Sequence, residues 1–233
     1  MQNDFYINNV SCAEFGVRLL STYTVGGTGL SRTRQKSPGV QGWIPMHTEY
    51  KLRTIKLPMH LFSKSPRRAA EQKSRLDAAL LASPLVLHLP NGMHYMAEVT
   101  SFGEVKEETP DGCILFFTHT LVGYACDRLL TVDLPAGGGT VYASGTAPEM
   151  CCRFSCTVGA DAASYTMAGV TWKNVKAGDV LVVDSLDGVR MATRNGANDF
   201  GSTDIITWPK LTPDENRLTC PDAMTVEYRP VWL

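Results

Sequence analysis

Long apolar runs are missing from this sequence. No stretch approaches the roughly 18 residues that a membrane-crossing helix needs, so no membrane insertion is expected. A polybasic run is missing too, and 22 Lys and Arg against 23 Asp and Glu leave a formal net charge of −1 at pH 7. That balance lacks the electrostatic footprint of a nucleic-acid binder, and no sequence-specific nucleic-acid partner is expected. Met1 to Val10 has neither the basic n-region nor the apolar h-region of a secretory signal, which points to a protein made in the cytosol. In that compartment the seven cysteines, an odd number, are expected as reduced thiols. What is present is globular: 44% of the 233 residues are hydrophobic and 19% charged, far from a disordered composition.

Motifs for chemistry are equally scarce. Gly26-Gly27-Thr28-Gly29 is glycine-rich and is followed by Arg32, Arg34 and Lys36. A phosphate-binding loop needs its lysine directly after a glycine that opens a helix, and here Gln35 precedes Lys36 while Pro38 follows. The reading is a flexible, basic, solvated loop. Cys151, Cys152 and Cys156 lie close together without a second pair of ligands at zinc spacing; on a strand Cys152 and Cys156 share a face, with buried packing as their role. His88 and His94 flank Asn91-Gly92, and a two-residue turn there places them on opposite faces, so they share no metal. Glu104, Glu107, Glu108 and Asp111 surround a turn signal, Thr109-Pro110-Asp111-Gly112, and read as a solvated loop. His47 with Glu49 lacks a third partner, and neither a Gly-x-Ser-x-Gly elbow nor His-Glu-x-x-His occurs. No catalytic, metal or cofactor site is assigned, and the chain is expected not to be an enzyme.

One strong helix signal runs from Ser65 to Ala82. Ser65 is an N-cap, Pro66 stands at the first helical position, and Ala69, Leu76 and Leu80 form an apolar stripe. The remainder reads as strands: Tyr50 to Leu57, ended by Pro58; the hairpin Leu85 to Thr100 about Asn91-Gly92; and Cys113 to Val122. The only dense Pro/Gly patch, Leu134 to Gly139, suggests a domain boundary nearby. Beyond it come short strand candidates: Met150 to Val158, Tyr165 to Trp172, Asp179 to Asp184, Val189 to Thr193, Asp204 to Thr207, Arg217 to Cys220 and Thr225 to Arg229. They alternate with turn signals at Gly178-Asp179, Asp187-Gly188, Asn195-Gly196 and Pro213-Asp214, as in an antiparallel sandwich.

Phe5-Tyr6-Ile7-Asn8 followed by Glu14-Phe15-Gly16-Val17, the Val175 to Asp184 segment with its Gly178-Asp179, the next two turns, and the ending Val226 to Leu233 with Tyr228-Arg229-Pro230 occur in a characteristic order. In that order they resemble the distal tail proteins of phages with long non-contractile tails. The resemblance implies a mainly β fold. On that resemblance residues 1–132 are expected to form an N-terminal α+β ring-forming domain, a β-sandwich or split barrel with one helix, and residues 133–233 a C-terminal galectin-like β-sandwich. It further implies a structural role at the virion's tail tip: a homohexameric ring joining the tail tube to the host-adhesion apparatus. The tail tube protein, a fibre- or lysin-type hub protein and receptor-binding proteins of the same phage are the implied partners. Arg32, Arg34 and Lys36 become a candidate inter-subunit arm. The competing reading is a carbohydrate-binding adhesin-like module, with Trp172 and Trp208 as candidate aromatic platforms.

Overall fold

A computed structural model describes residues 4–36 and 44–233, with the side chains of residues 44–46 left aside. The contacts of the chain divide it into two compact units, Met1–Ala125 and Cys126–Leu233. The fold is mainly β, and the described residues contain one α-helix.

In the first unit, β1 (Tyr6–Ile7), β2 (Val10–Ser11), β3 (Val17–Leu19), β4 (Thr24–Val25), β5 (Gly29–Gln35), β6 (Ile44–Lys51) and β7 (Arg53–Phe62) precede helix α1 (Pro66–Leu80). After it come β8 (Leu85–His88), β9 (His94–Ser101), β10 (Lys106–Glu107) and β11 (Ile114–Cys126). A sheet in the order β2-β1-β8-β9-β11-β7-β3 carries the core, with β4 also on β7 and β10 on β11. The helix begins where the sequence places it: the Ser65 hydroxyl accepts from Arg68 N–H at 3.3 Å, and Ala69, Leu76 and Leu80 are buried. On β11 the strict alternation of burial turns Leu115, Phe117, His119, Leu121 and Ala125 inward.

Two local expectations are corrected. Pro58 does not end its strand. β7 runs on to Phe62 and pairs with β11 from Ile114↔Phe62 to Gly123↔Arg53. The Pro58 carbonyl accepts from Leu20 N–H at 2.9 Å, just beyond β3, while β4 pairs only at Lys56 and Ile55. The proline therefore faces an interval between two short strands where no donor is required. The second correction is the β8–β9 turn. Gly92 N–H bonds the Leu89 carbonyl at 3.0 Å, Leu89 N–H bonds the Met93 carbonyl at 3.1 Å, and Gly92 has φ +80°. This is a three-residue loop, Pro90-Asn91-Gly92, with its glycine in the left-handed region. Register shifts by one relative to a two-residue turn, and His88 stands directly opposite His94.

The second unit consists of β12 (Leu130–Leu134), β13 (Gly139–Ala143), β14 (Met150–Thr157), β15 (Ala162–Met167), β16 (Val170–Val175), β17 (Val180–Asp184), β18 (Met191–Arg194), β19 (Ala197–Asn198), β20 (Thr203–Asp204), β21 (Lys210–Leu211), β22 (Asp214–Leu218), β23 (Met224–Tyr228) and β24 (Val231–Trp232). The main sheet has the order β12-β23-β14-β17-β18-β19, with β21 added to β14; β13 pairs β22, and β15, β16 and β20 form a third group. Val141, Phe154, Met167, Trp172, Leu181 and Val226 bring all three into one core. The run expected as one strand, Tyr165 to Trp172, is a hairpin: Met167 pairs Val170, and Ala168 and Gly169 have φ +47° and +85°. The Pro/Gly patch is a turn between β12 and β13. Gly138 has φ +90°, and a Cβ there would lie 2.1 Å from the Leu218 carbonyl oxygen, so this glycine admits the backbone of β22.

Candidate interaction surface

Arg32 and Arg34, expected on a basic loop, lie on a strand instead, with Lys36 just past its end. β5 and β6 make a two-stranded antiparallel ribbon from Gly29↔Lys51 to Gln35↔Ile44, with a register shift between Thr33 and Arg34. The sequence signal that could have revealed it is the alternation Leu30, Arg32 opposite Thr48, Tyr50, which the preceding glycines obscure. Thr28 fixes its base through a 3.0 Å hydrogen bond from Arg53 Nε. Arg32, Arg34 and Lys36 are all exposed, as are His47 and Glu49. Leu30 pairs with Tyr50 and both stay open to solvent, 47% and 43% exposed. A ribbon of two strands is marginal alone in water, and an exposed apolar pair on it is surface that a partner can bury. Arg32 lies on the same face as Leu30, two residues on.

The buried polar site of the first unit is His119. Its Nε2 lies 3.0 Å from Asp77 Oδ1, and its Nδ1 accepts from Gly103 N–H at 3.3 Å. Both ring nitrogens are thus engaged, with the proton on Nε2, and neither is available to activate a nucleophile. Lys73 holds the other Asp77 oxygen at 2.6 Å and lies 4.8 Å from the Phe117 ring centroid. Burial, reinforced by the nearby Lys73 charge, depresses the imidazole to about 4, with Asp77 opposing. The cluster joins helix, sheet and the Phe102–Gly103 segment; its role is structural. His88 and His94 are stacked with ring centroids 4.4 Å apart, against the expectation of opposite faces, and Tyr6 stacks on His88 at 5.8 Å.

In the second unit Trp172 is fully buried and belongs to the core, which removes it as a sugar platform. Trp208 is half-buried, with Phe200 edge-on at 5.9 Å and the Arg190 guanidinium 5.7 Å from its ring centroid. Cys152 and Cys156 share the buried face of β14 while Cys151 does not. The residues of the Gly178-Asp179 and Asn195-Gly196 turns lock one another: Asp179 accepts from Lys176 N–H and from Asn195 Nδ2, and Asn195 Oδ1 accepts from Val180 N–H, each at 2.8 Å. Backbone and amide donors hold the Asp179 carboxyl below its usual range. No group of three or more His, Cys, Asp or Glu arranged for a metal occurs among the described residues, and no described helix is long and apolar enough to cross a membrane.

No protein-family model and no curated protein matches the sequence. Solved structures do match it. The chain is similar to the Dit protein of phage SPP1, described as a paradigm of the hub adsorption apparatus in phages that infect Gram-positive bacteria, with a TM-score of 0.71 over 99% of each chain at 13% identity. It is also similar to a component of the phage P2 baseplate in its activated conformation with calcium, with a TM-score of 0.62 over 99% of this chain and 98% of that one at 10% identity. The strontium-bound form of that baseplate gives the same score over 97% of both chains, also at 10% identity. The likeness to SPP1 Dit therefore extends over both units and shows a Dit-like, mainly β fold.

Proposed function

We propose that this chain is a structural protein of a phage tail tip, in which six copies close a ring between the tail tube and the host-adhesion apparatus. The observation that carries this reading is the extent of the likeness to SPP1 Dit, which covers 99% of both chains and so includes both units. A shared sandwich alone would not do this, since unrelated functions recur on such domains. The β5–β6 ribbon supports it, because an exposed two-stranded arm with the open Leu30–Tyr50 pair gains stability by lying on a neighbouring copy. A cyclic arrangement seats every arm and leaves no free end. The number six rests on the family resemblance. The tail tube protein would sit on one side of the ring and the hub protein on the other, with receptor-binding proteins carried by the second unit; the role is architectural, not enzymatic.

Native mass spectrometry of the purified chain at micromolar concentration should give a six-copy species, and negative-stain images should show rings with a central opening. A chain that stays monomeric both alone and with the tail tube protein overturns the reading.

A further inference from the structure

Cys156 and Cys220 come from distant parts of the chain, β14 and the segment after β22, yet their thiols meet in the core of the second unit. Tyr165 Oη lies 3.5 Å from Cys156 Sγ and 3.3 Å from Cys220 Sγ, so both sulfurs contact the same oxygen. The tyrosine hydroxyl donates to Asp222 Oδ2 at 3.0 Å, which orients it and leaves its oxygen lone pairs toward the sulfurs. Asp222 also accepts from Gly159 N–H at 2.9 Å, so the carboxylate is held in place. Both cysteines are buried, but a surface cleft of about 490 Å3 is lined by Ser155, Cys156 and Asp222, which brings a small oxidant to Cys156, beside the Tyr165 oxygen that Cys220 also touches.

We propose that Cys156 and Cys220 are a redox-active thiol pair that closes to an intramolecular disulfide when the folded protein meets a peroxide. The inference stands on the geometry of the second unit and does not depend on the tail-tip reading. Hydrogen bonding by Cys156 holds Cys220 down to about 6 against its burial, while Cys156 itself is pushed up, so Cys220 supplies the thiolate. Its sulfur attacks one oxygen of hydrogen peroxide. The O–O bond breaks, the departing hydroxide takes up the thiol proton as water, and a sulfenic acid remains on Cys220. The Cys156 sulfur then attacks that sulfur, the S–S bond forms, and the expelled hydroxide leaves as water with the Cys156 proton. In sum, two thiols and one peroxide give one disulfide and two waters. The bridge ties β14 to the strand-bearing segment that ends at Cys220, a long loop, so it constrains the unfolded chain strongly.

Trypsin separates the two sites, releasing Cys156 in Phe154–Lys173 and Cys220 in Leu218–Leu233. The native full-length protein is treated with hydrogen peroxide at low molar excess, alkylated and digested without reduction. The expected product is a linked pair of these peptides, lighter by two hydrogens than their sum, together with a higher melting temperature that dithiothreitol reverses. Cys156→Ser and Cys220→Ser, each verified as folded by circular dichroism, should each abolish the linked pair. The proposal is overturned if the two peptides carry separate sulfinic acids, if either cysteine links to Cys151 or Cys152, or if the pair links only after unfolding in urea.

Discussion

At the scale of single residues, the most consequential side chain is one that sequence reading passes over. His119 lies in the run Ile114-Leu115-Phe116-Phe117-Thr118-His119-Thr120-Leu121 and looks there like an interruption in an apolar strand. Its partner Asp77 is on the helix and Gly103 is on a loop, and no local pattern announces either. The same limit hides the Cys156–Cys220 pair, whereas Ala69, Leu76 and Leu80 announce themselves because helical spacing is a local property. His119 has a pH consequence with a definite sign. The imidazole is depressed to about 4 in the fold against an ordinary value of 6.5, so between those values the unfolded chain binds a proton that the folded chain does not. The stabilisation is therefore full above pH 6.5 and is lost as pH falls through that window, by about 3 kcal/mol at pH 4. His119→Asn can keep an acceptor for Gly103 N–H through its side-chain oxygen but has nothing to titrate. Urea unfolding at pH 7, 6, 5 and 4 should show a steeper fall in stability for the parent than for the variant. Identical pH profiles would mean that His119 does not carry this acid sensitivity.

At the scale of elements, what the sequence reveals depends on whether one residue type dictates one geometry. Ser65-Pro66 starts the helix as read, because a hydroxyl cap and a proline at the first position both suit a helix entry and little else. Pro58 and the Ala168-Gly169 turn escape the sequence for the opposite reason. A proline is tolerated inside a sheet where the neighbouring strand leaves an interval, and an alanine enters the left-handed region only when the following glycine and the flanking strands impose it. The ribbon belongs with these cases. Its glycines suggest flexibility, while the strand that fixes it, Ile44–Lys51, comes later in the chain and pairs with it only in the fold. If the ribbon is the inter-subunit arm, its charges act on assembly rather than on folding. Arg32→Glu combined with Arg34→Glu should shift the six-copy species toward monomer in native mass spectrometry. Monomer stability should stay within about 0.5 kcal/mol of the parent in urea unfolding, as is usual for exposed positions. A loss of several kcal/mol, or unaltered assembly, would remove these arginines from the interface.

At the scale of the whole molecule, composition and element order are enough to indicate a mainly β chain with a single helix in its first half, and the family resemblance agrees with the fold it implies. The position of the division between units is harder to read. The Pro/Gly patch points to residue 132 as the end of the first domain, but Leu134 to Gly139 makes a hydrogen-bonded turn that serves the second unit: Gly137 N–H bonds the Cys220 carbonyl and Gly138 N–H bonds the Pro135 carbonyl. The contacts divide the chain at Ala125 and Cys126, which keeps β12 whole and paired with β23. The same division places the C-terminal residues in the second unit, where the Val231 carbonyl accepts from Thr146 and Ala147 N–H and Leu233 N–H bonds the Thr146 hydroxyl. Each unit has its own buried core: Phe5, Leu57, Leu76 and Phe117 in the first, and Phe154, Trp172, Leu181 and Val226 in the second. At roughly 100 residues or more, each is large enough to fold alone. The expected outcome is that residues 1–125 and residues 126–233, expressed separately, both give cooperative melts and β-type circular dichroism. On the ring reading, the first piece carries the ribbon and should assemble, while the second should elute as a monomer in size-exclusion chromatography. Assembly of residues 126–233 alone would assign ring closure to the wrong unit, and a failure of either piece to melt cooperatively would show that its core is not self-sufficient.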